Sequence, residues 1–90
     1  MIFVKDPNAI LDYYVDWTAW LAGDTIVASS WCVMPASLAV DSDAIMVGLK
    51  KTVVWLSGGV AGATYQAVNH IETASGREDD RTIMIKVEDK

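Results

Sequence analysis

A chain of 90 residues has room for one layered core and not for two. Its net charge of -5, with only 7 Lys and Arg, argues against a phosphate-backbone partner, because nucleic-acid binders draw affinity from clustered basic residues. The single cysteine, Cys32, excludes an internal disulfide and a cysteine-rich zinc site, and the longest apolar runs, Ala44 to Val47 and Val53 to Leu56, fall far short of the ~20 residues that a membrane-spanning helix needs.

In chain order, the opening Met1-Ile2-Phe3-Val4-Lys5-Asp6-Pro7 lacks the basic start and long apolar stretch of a secretory signal, which points to synthesis in a cytoplasm. Ile2 to Val4 reads as a short strand. Leu11 to Trp17 alternates Leu11, Tyr13, Val15 and Trp17 against Asp12, Tyr14 and Asp16, the pattern of a strand with one buried face. Thr18 to Ala22 is a single helical turn at most, with Asp16 as its cap and Gly23 as its stop.

Ile26 to Met34 is β-branched and aromatic and predicts a strand anchored by Trp31, although Ser29-Ser30 and Cys32 leave its register open. Leu38 to Val40 and Ala44 to Leu49 read as two short strands, and Lys51 to Ser57 as a longer one that breaks at Ser57-Gly58-Gly59. Tyr65 to Thr73 places Tyr65, Ala67, Asn69 and Ile71 on the better core face. Ala74 to Asp80 has the polar composition of a hairpin tip, and Thr82 to Val87 turns Ile83, Ile85 and Val87 inward. About seven or eight antiparallel strands, at the spacing of a sandwich, predict an all-β, immunoglobulin-like domain over residues 1-90.

Candidate chemistry is sparse. His70 and Glu72 share a strand face and have the residue types to share a metal or a proton, yet such a pair on a wet face is usually solvated. Asp41-Ser42-Asp43 begins like a calcium loop but lacks its later glycine and glutamate. Gly58 to Gly62 lacks the Lys-Ser/Thr of a phosphate loop, and Glu78-Asp79-Asp80 reads as a solubilising tip. The serines have no nucleophile-elbow context, and one histidine would have to serve as base for all of them. The reading is therefore non-catalytic, with no cofactor and no metal.

Hydrophobic residues make up 52% of the chain, more than so small a domain readily buries, so part of the apolar surface is expected to meet a partner. Of four tryptophans, Trp17, Trp31 and Trp55 fall at inward strand positions. Trp20-Leu21 falls in a connection, where it either plugs the sandwich end or forms an interface hot spot. Met46, Val47 and Leu49 make Ala44 to Lys50 more apolar than a loop usually is, the mark of an intersubunit contact, and Phe3 lies in a segment able to add to a neighbour's sheet. The expected interface set is Phe3, Trp20, Leu21, Met46 and Leu49.

Gly62-Ala63-Thr64-Tyr65-Gln66-Ala67 resembles the tyrosine corner of immunoglobulin-like domains, which implies a structural role for Tyr65. A wider set is similar to the phage fibre-tail adaptor proteins, a family of small virion proteins. It comprises Phe3-Val4-Lys5-Asp6-Pro7, Leu11-Asp12-Tyr13, Asp16-Trp17, Trp20-Leu21, Asp24-Thr25-Ile26, Val54 to Gly59, Ala61-Gly62, Tyr65, Asn69, Ile71, Thr73, Gly76-Arg77, Asp80-Arg81 and Ile83. The resemblance implies a virion protein assembled in the bacterial cytoplasm and present in several symmetric copies. It would link fibres or appendages to the neck or tail by contacts with other virion proteins, without nucleic acid or membrane. A capsid-decorating role and a carbohydrate-binding adhesion module, using Tyr14 or Trp20 beside aspartates, stand as alternatives.

Overall fold

The computed structural model describes residues 2–88. Alternating apolar side chains and turn residues give seven strands and one helical turn: β1 (Ile2–Lys5), β2 (Leu11–Asp16), α1 (Thr18–Leu21), β3 (Ile26–Met34), β4 (Leu38–Ile45), β5 (Lys51–Gly58), β6 (Thr64–Thr73) and β7 (Glu78–Val87). They form a four-stranded sheet, β1-β7-β6-β3, facing a three-stranded sheet, β2-β5-β4. This is the immunoglobulin strand arrangement, with the first strand moved from the outer edge of one sheet to the edge of the other. That move makes β1 parallel to β7, with Phe3 opposite Ile85, so the sheet is mixed where the sequence predicts antiparallel pairing throughout.

The period-two patterns of β6 and β7 deliver their expected inward faces, and that of β2 does so except at Leu11, which is exposed at the head of the strand. Tyr13 and Val15, then Tyr65, Ala67, Asn69 and Ile71, then Ile83, Ile85 and Val87 are all buried between the sheets. Trp17 is fully buried. Trp55 is not: it is 42% exposed, because Thr52, Val54 and Leu56 take the inward face of β5 and leave Val53 and Trp55 outside. Trp31 does point inward, opposite Asn69, but β3 is an edge strand and covers the indole only in part.

Register shifts explain two strands that the sequence leaves unclear. β3 breaks register between Ile26 and Ala28, and β4 between Val40 and Ser42, each break displacing one residue from the alternation. The β4 shift lets Leu38–Ile45 run as one strand where the composition suggests two, and Met46 to Leu49 becomes the turn into β5. The acidic run Glu78 to Asp80 belongs to β7, paired with Glu72 to His70, so the hairpin tip is confined to Ala74–Arg77.

Three polar groups fasten the interior. Tyr65 Oη accepts the backbone N–H of Val60, five residues upstream, at 2.8 Å and lies 2.6 Å from Ser37 Oγ. Gly59 turns the chain beside it at φ 94°, and a Cβ there would lie 2.8 Å from Val87 Cγ2, so only glycine fits. Lys5 is buried, its Nζ donating to the Asp6 and Gly58 carbonyls at 2.9 and 2.8 Å, and burial pushes its pKa below the usual lysine value. Asn69 Oδ1 accepts from Trp17 Nε1 and Thr52 Oγ1, while its Nδ2 donates to Ser29 Oγ and the Ser30 carbonyl.

Candidate functional site

Three connections meet at one end of the sandwich: the segment around α1, the β4–β5 turn and the β6–β7 tip. The N-cap of α1 is Trp17 and not Asp16, which stands one residue before it; Asp16 Oδ1 accepts the Thr18 N–H at 2.9 Å, and its bonds to Thr18 hold its pKa below the usual carboxylate value. The helical turn ends as Ala22 and then Gly23 adopt positive φ. Backbone bonds tie this segment to the β4–β5 turn, Trp17 N–H to the Lys50 carbonyl and Ile26 N–H to the Leu49 carbonyl, both at 2.9 Å.

Arg77 closes the third side. Its guanidinium donates to the Trp20 and Leu21 carbonyls at 3.3 and 2.7 Å and lies 4.3 Å above the Trp20 ring. Asp24 Oδ2 accepts from the same guanidinium and from Ser75 Oγ. The Ser75 hydroxyl foremost, then Thr73, the Thr25 N–H and Arg77 hold the Asp24 carboxyl well below the usual carboxylate range. The end is a cross-braced platform.

On this platform stand apolar side chains. Met46 and Leu49 are exposed, and Val47 between them is fully so. Gly48, at φ 96°, and Leu49, at φ 59°, turn the chain sharply enough to present them as a knob. Trp20 lies edge-on to Trp17, 5.4 Å between centroids, and is half-buried. Trp20, Met46 and Leu49, which the sequence picks out separately, thus lie at the same end of the sandwich, and Val47, part of the same apolar stretch but outside the expected contact set, is the most exposed of the knob.

The two other expected contact residues lie apart from this knob. Leu21 is 1% exposed, because its side chain enters the core from α1; it has no surface to offer a partner. Phe3 packs against Tyr13 with the rings tilted, 4.9 Å between centroids, and lines a groove with Tyr14, Val15, Asp16 and Arg81. β1 is an edge strand; Met1, at the head of the segment expected to add to a neighbour's sheet, lies outside the described residues.

Tyr14 and Trp55 are exposed on the outer face of the three-stranded sheet, Tyr14 opposite Val53 and Asp12 opposite Trp55. On the other outer face, His70 stands between carboxylates, its Nδ1 2.6 Å from Asp80 Oδ1 and its Nε2 3.0 Å from Glu78 Oε1. Asp41, Ser42 and Asp43 lie within β4 and do not form a loop, so they cannot wrap a cation as a calcium loop does.

No curated protein matches the chain. The family model described as "Podophage GP4 fiber-tail adaptor protein gp77" matches residues 5–86. The chain belongs to that family.

Proposed function

We propose that this member of the podophage fibre-tail adaptor family is a non-catalytic virion protein that links tail fibres or appendages to the neck or tail. It docks through the sandwich end that carries Trp20, Met46, Val47 and Leu49. The observation that carries this reading is the knob itself: three large apolar side chains at the crest of a turn, on a platform held by Arg77 and Asp24. Contiguous exposed apolar groups on a rigid base are what a partner's pocket recognises, with little ordering entropy to lose on docking.

The partners are other virion proteins, met in several copies of a symmetric assembly. Edge strand β1 and the Phe3 groove supply a second contact, through which a neighbouring segment extends the four-stranded sheet. Tyr65 acts structurally, as a tyrosine corner tying the β5–β6 connection to β6.

A phage whose gene for this chain is disrupted, complemented with Val47→Asp or with the unaltered chain, tests the reading. Particles made with Val47→Asp are expected to lack fibres or appendages; normal fibre-bearing particles would overturn the assignment of the knob. The exposed Tyr14 and Trp55 beside Asp12 favour one second reading, a carbohydrate-binding module, which a glycan array probed with the purified chain separates from the first.

A further inference from the structure

We propose that His70, Glu72 and Glu78 form a binding site for a divalent transition-metal ion of the Zn²⁺ class on the outer face of the β6–β7 pair. Each of the three residues offers a ligand atom, and these atoms all lie within 4.8 Å of one another. The register builds the cluster: His70 stands opposite Asp80, and Glu72 opposite Glu78. His70 Nε2 and Glu78 Oε1 are already 3.0 Å apart, and an ion held at ~2.0–2.2 Å from nitrogen and oxygen ligands fits once both side chains open slightly. Glu72 and Glu78 are both exposed.

Asp80 completes the arrangement in the manner of a positioning residue. Its Oδ1 accepts the proton of His70 Nδ1 at 2.6 Å, which fixes the ring with Nε2 towards Glu78, and an ion bound there takes the place of the proton that Nε2 donates to Glu78 Oε1. The mixed nitrogen and oxygen donor set suits a transition ion, whereas calcium sites are built from oxygen alone.

The charge balance of the cluster favours a cation as well. Glu72 and Glu78 are like charges directly opposite one another on paired strands, and with Asp80 they set three carboxylates around one imidazole, which pairs with Glu78 and Asp80 and leaves the cluster net negative. Neither flanking arginine answers them: Arg77 is committed to Asp24 and the α1 carbonyls, and Arg81 donates to the Asp16 carbonyl at 2.9 Å and stacks 4.4 Å over Trp17.

Titration of the full chain with Zn²⁺ by calorimetry, and with Co²⁺ by its visible absorption, tests the site. Expected is one saturable site per chain that His70→Ala abolishes, Glu78→Gln or Glu72→Gln weakens, and Asp80→Asn weakens by roughly tenfold. Cys32→Ser is expected to leave binding unchanged, since the thiol is exposed on β3 and outside the cluster. Absence of saturable binding would overturn the proposal. So would equal binding by His70→Ala, or loss of binding in Cys32→Ser. Should His70→Ala fail to fold, the two glutamine variants decide the matter in its place, because they keep the shape of the side chains they replace: weakened binding supports the site, and unchanged binding overturns it.

Discussion

The indole N–H of Trp17 donates to Oδ1 of Asn69 at 3.0 Å, joining the end of β2 in one sheet to β6 in the other. Thr52 Oγ1, from β5, reaches the same oxygen at 2.6 Å, and the two remaining bonds run from Nδ2 to Ser29 Oγ and to the Ser30 carbonyl in β3. Trp17 can only donate and the Ser30 carbonyl can only accept, so the amide has one orientation. A fully satisfied polar group at this depth fixes how the sheets face each other, since any other alignment would leave several buried polar atoms unpaired.

Asn69→Leu is therefore expected to destabilise the fold by about 3–5 kcal/mol, because it orphans the buried Trp17 N–H and Thr52 hydroxyl together. Trp17→Phe should cost less, and the double variant should fall short of the summed single losses by roughly 1–2 kcal/mol. Urea unfolding of the four proteins measures the cycle; strict additivity would mean that the bond is not an energetic link.

Asn69 also marks the limit of what the sequence discloses. Alternation in β6 puts Asn69 on the core face, but only the folded register reveals that its four partners come from the end of β2, from β3 and from β5. Trp55 defeats the pattern because the inward face of β5 is held by Thr52, Val54 and Leu56, and in a strand where both faces are apolar, composition does not choose between them. Lys5 gives no signal, since a lysine beside a proline turn looks solvated until the Gly58 carbonyl is folded against it. Of the contact residues, Met46 and Leu49 are legible as excess apolar character in a loop. Leu21 is not separable from Trp20 by sequence, because only the folded helical turn shows the two side chains aimed in different directions.

Tyr65→Phe removes the acceptor of the Val60 N–H and the partner of Ser37 Oγ while keeping the buried ring. A loss of about 1–2 kcal/mol is expected, or roughly 5–15 °C in Tm for a domain of this size. Thermal unfolding followed by circular dichroism checks it, and an unchanged Tm would show that the hydroxyl is not a structural lock.

Asp24 makes the platform acid-sensitive. Its folded carboxyl titrates well below its unfolded value, so its contribution is present above the unfolded pKa, near pH 4, and is lost as the pH falls towards the lowered folded one. In that window the unfolded chain binds more protons, and stability must fall with pH. Urea midpoints from about pH 5 to about pH 2 should therefore decline more steeply for the unaltered chain than for Asp24→Asn, and parallel curves would contradict the assignment.

Val47→Asp replaces a side chain that touches little of its own fold. Its stability should stay within about 0.5 kcal/mol of the parent, which urea unfolding can verify. A variant that folds normally and still fails to yield fibre-bearing particles would separate docking from folding; marked destabilisation would mean that the knob belongs to the core.

Docking through the sandwich end that carries Trp20, Met46, Val47 and Leu49 is open to direct observation by cryo-electron microscopy of the assembled particle. A map that seats Met46, Val47 and Leu49 in an apolar pocket of another virion protein is the predicted result, and a map that leaves this turn in solvent while the chain is held by other faces would contradict it.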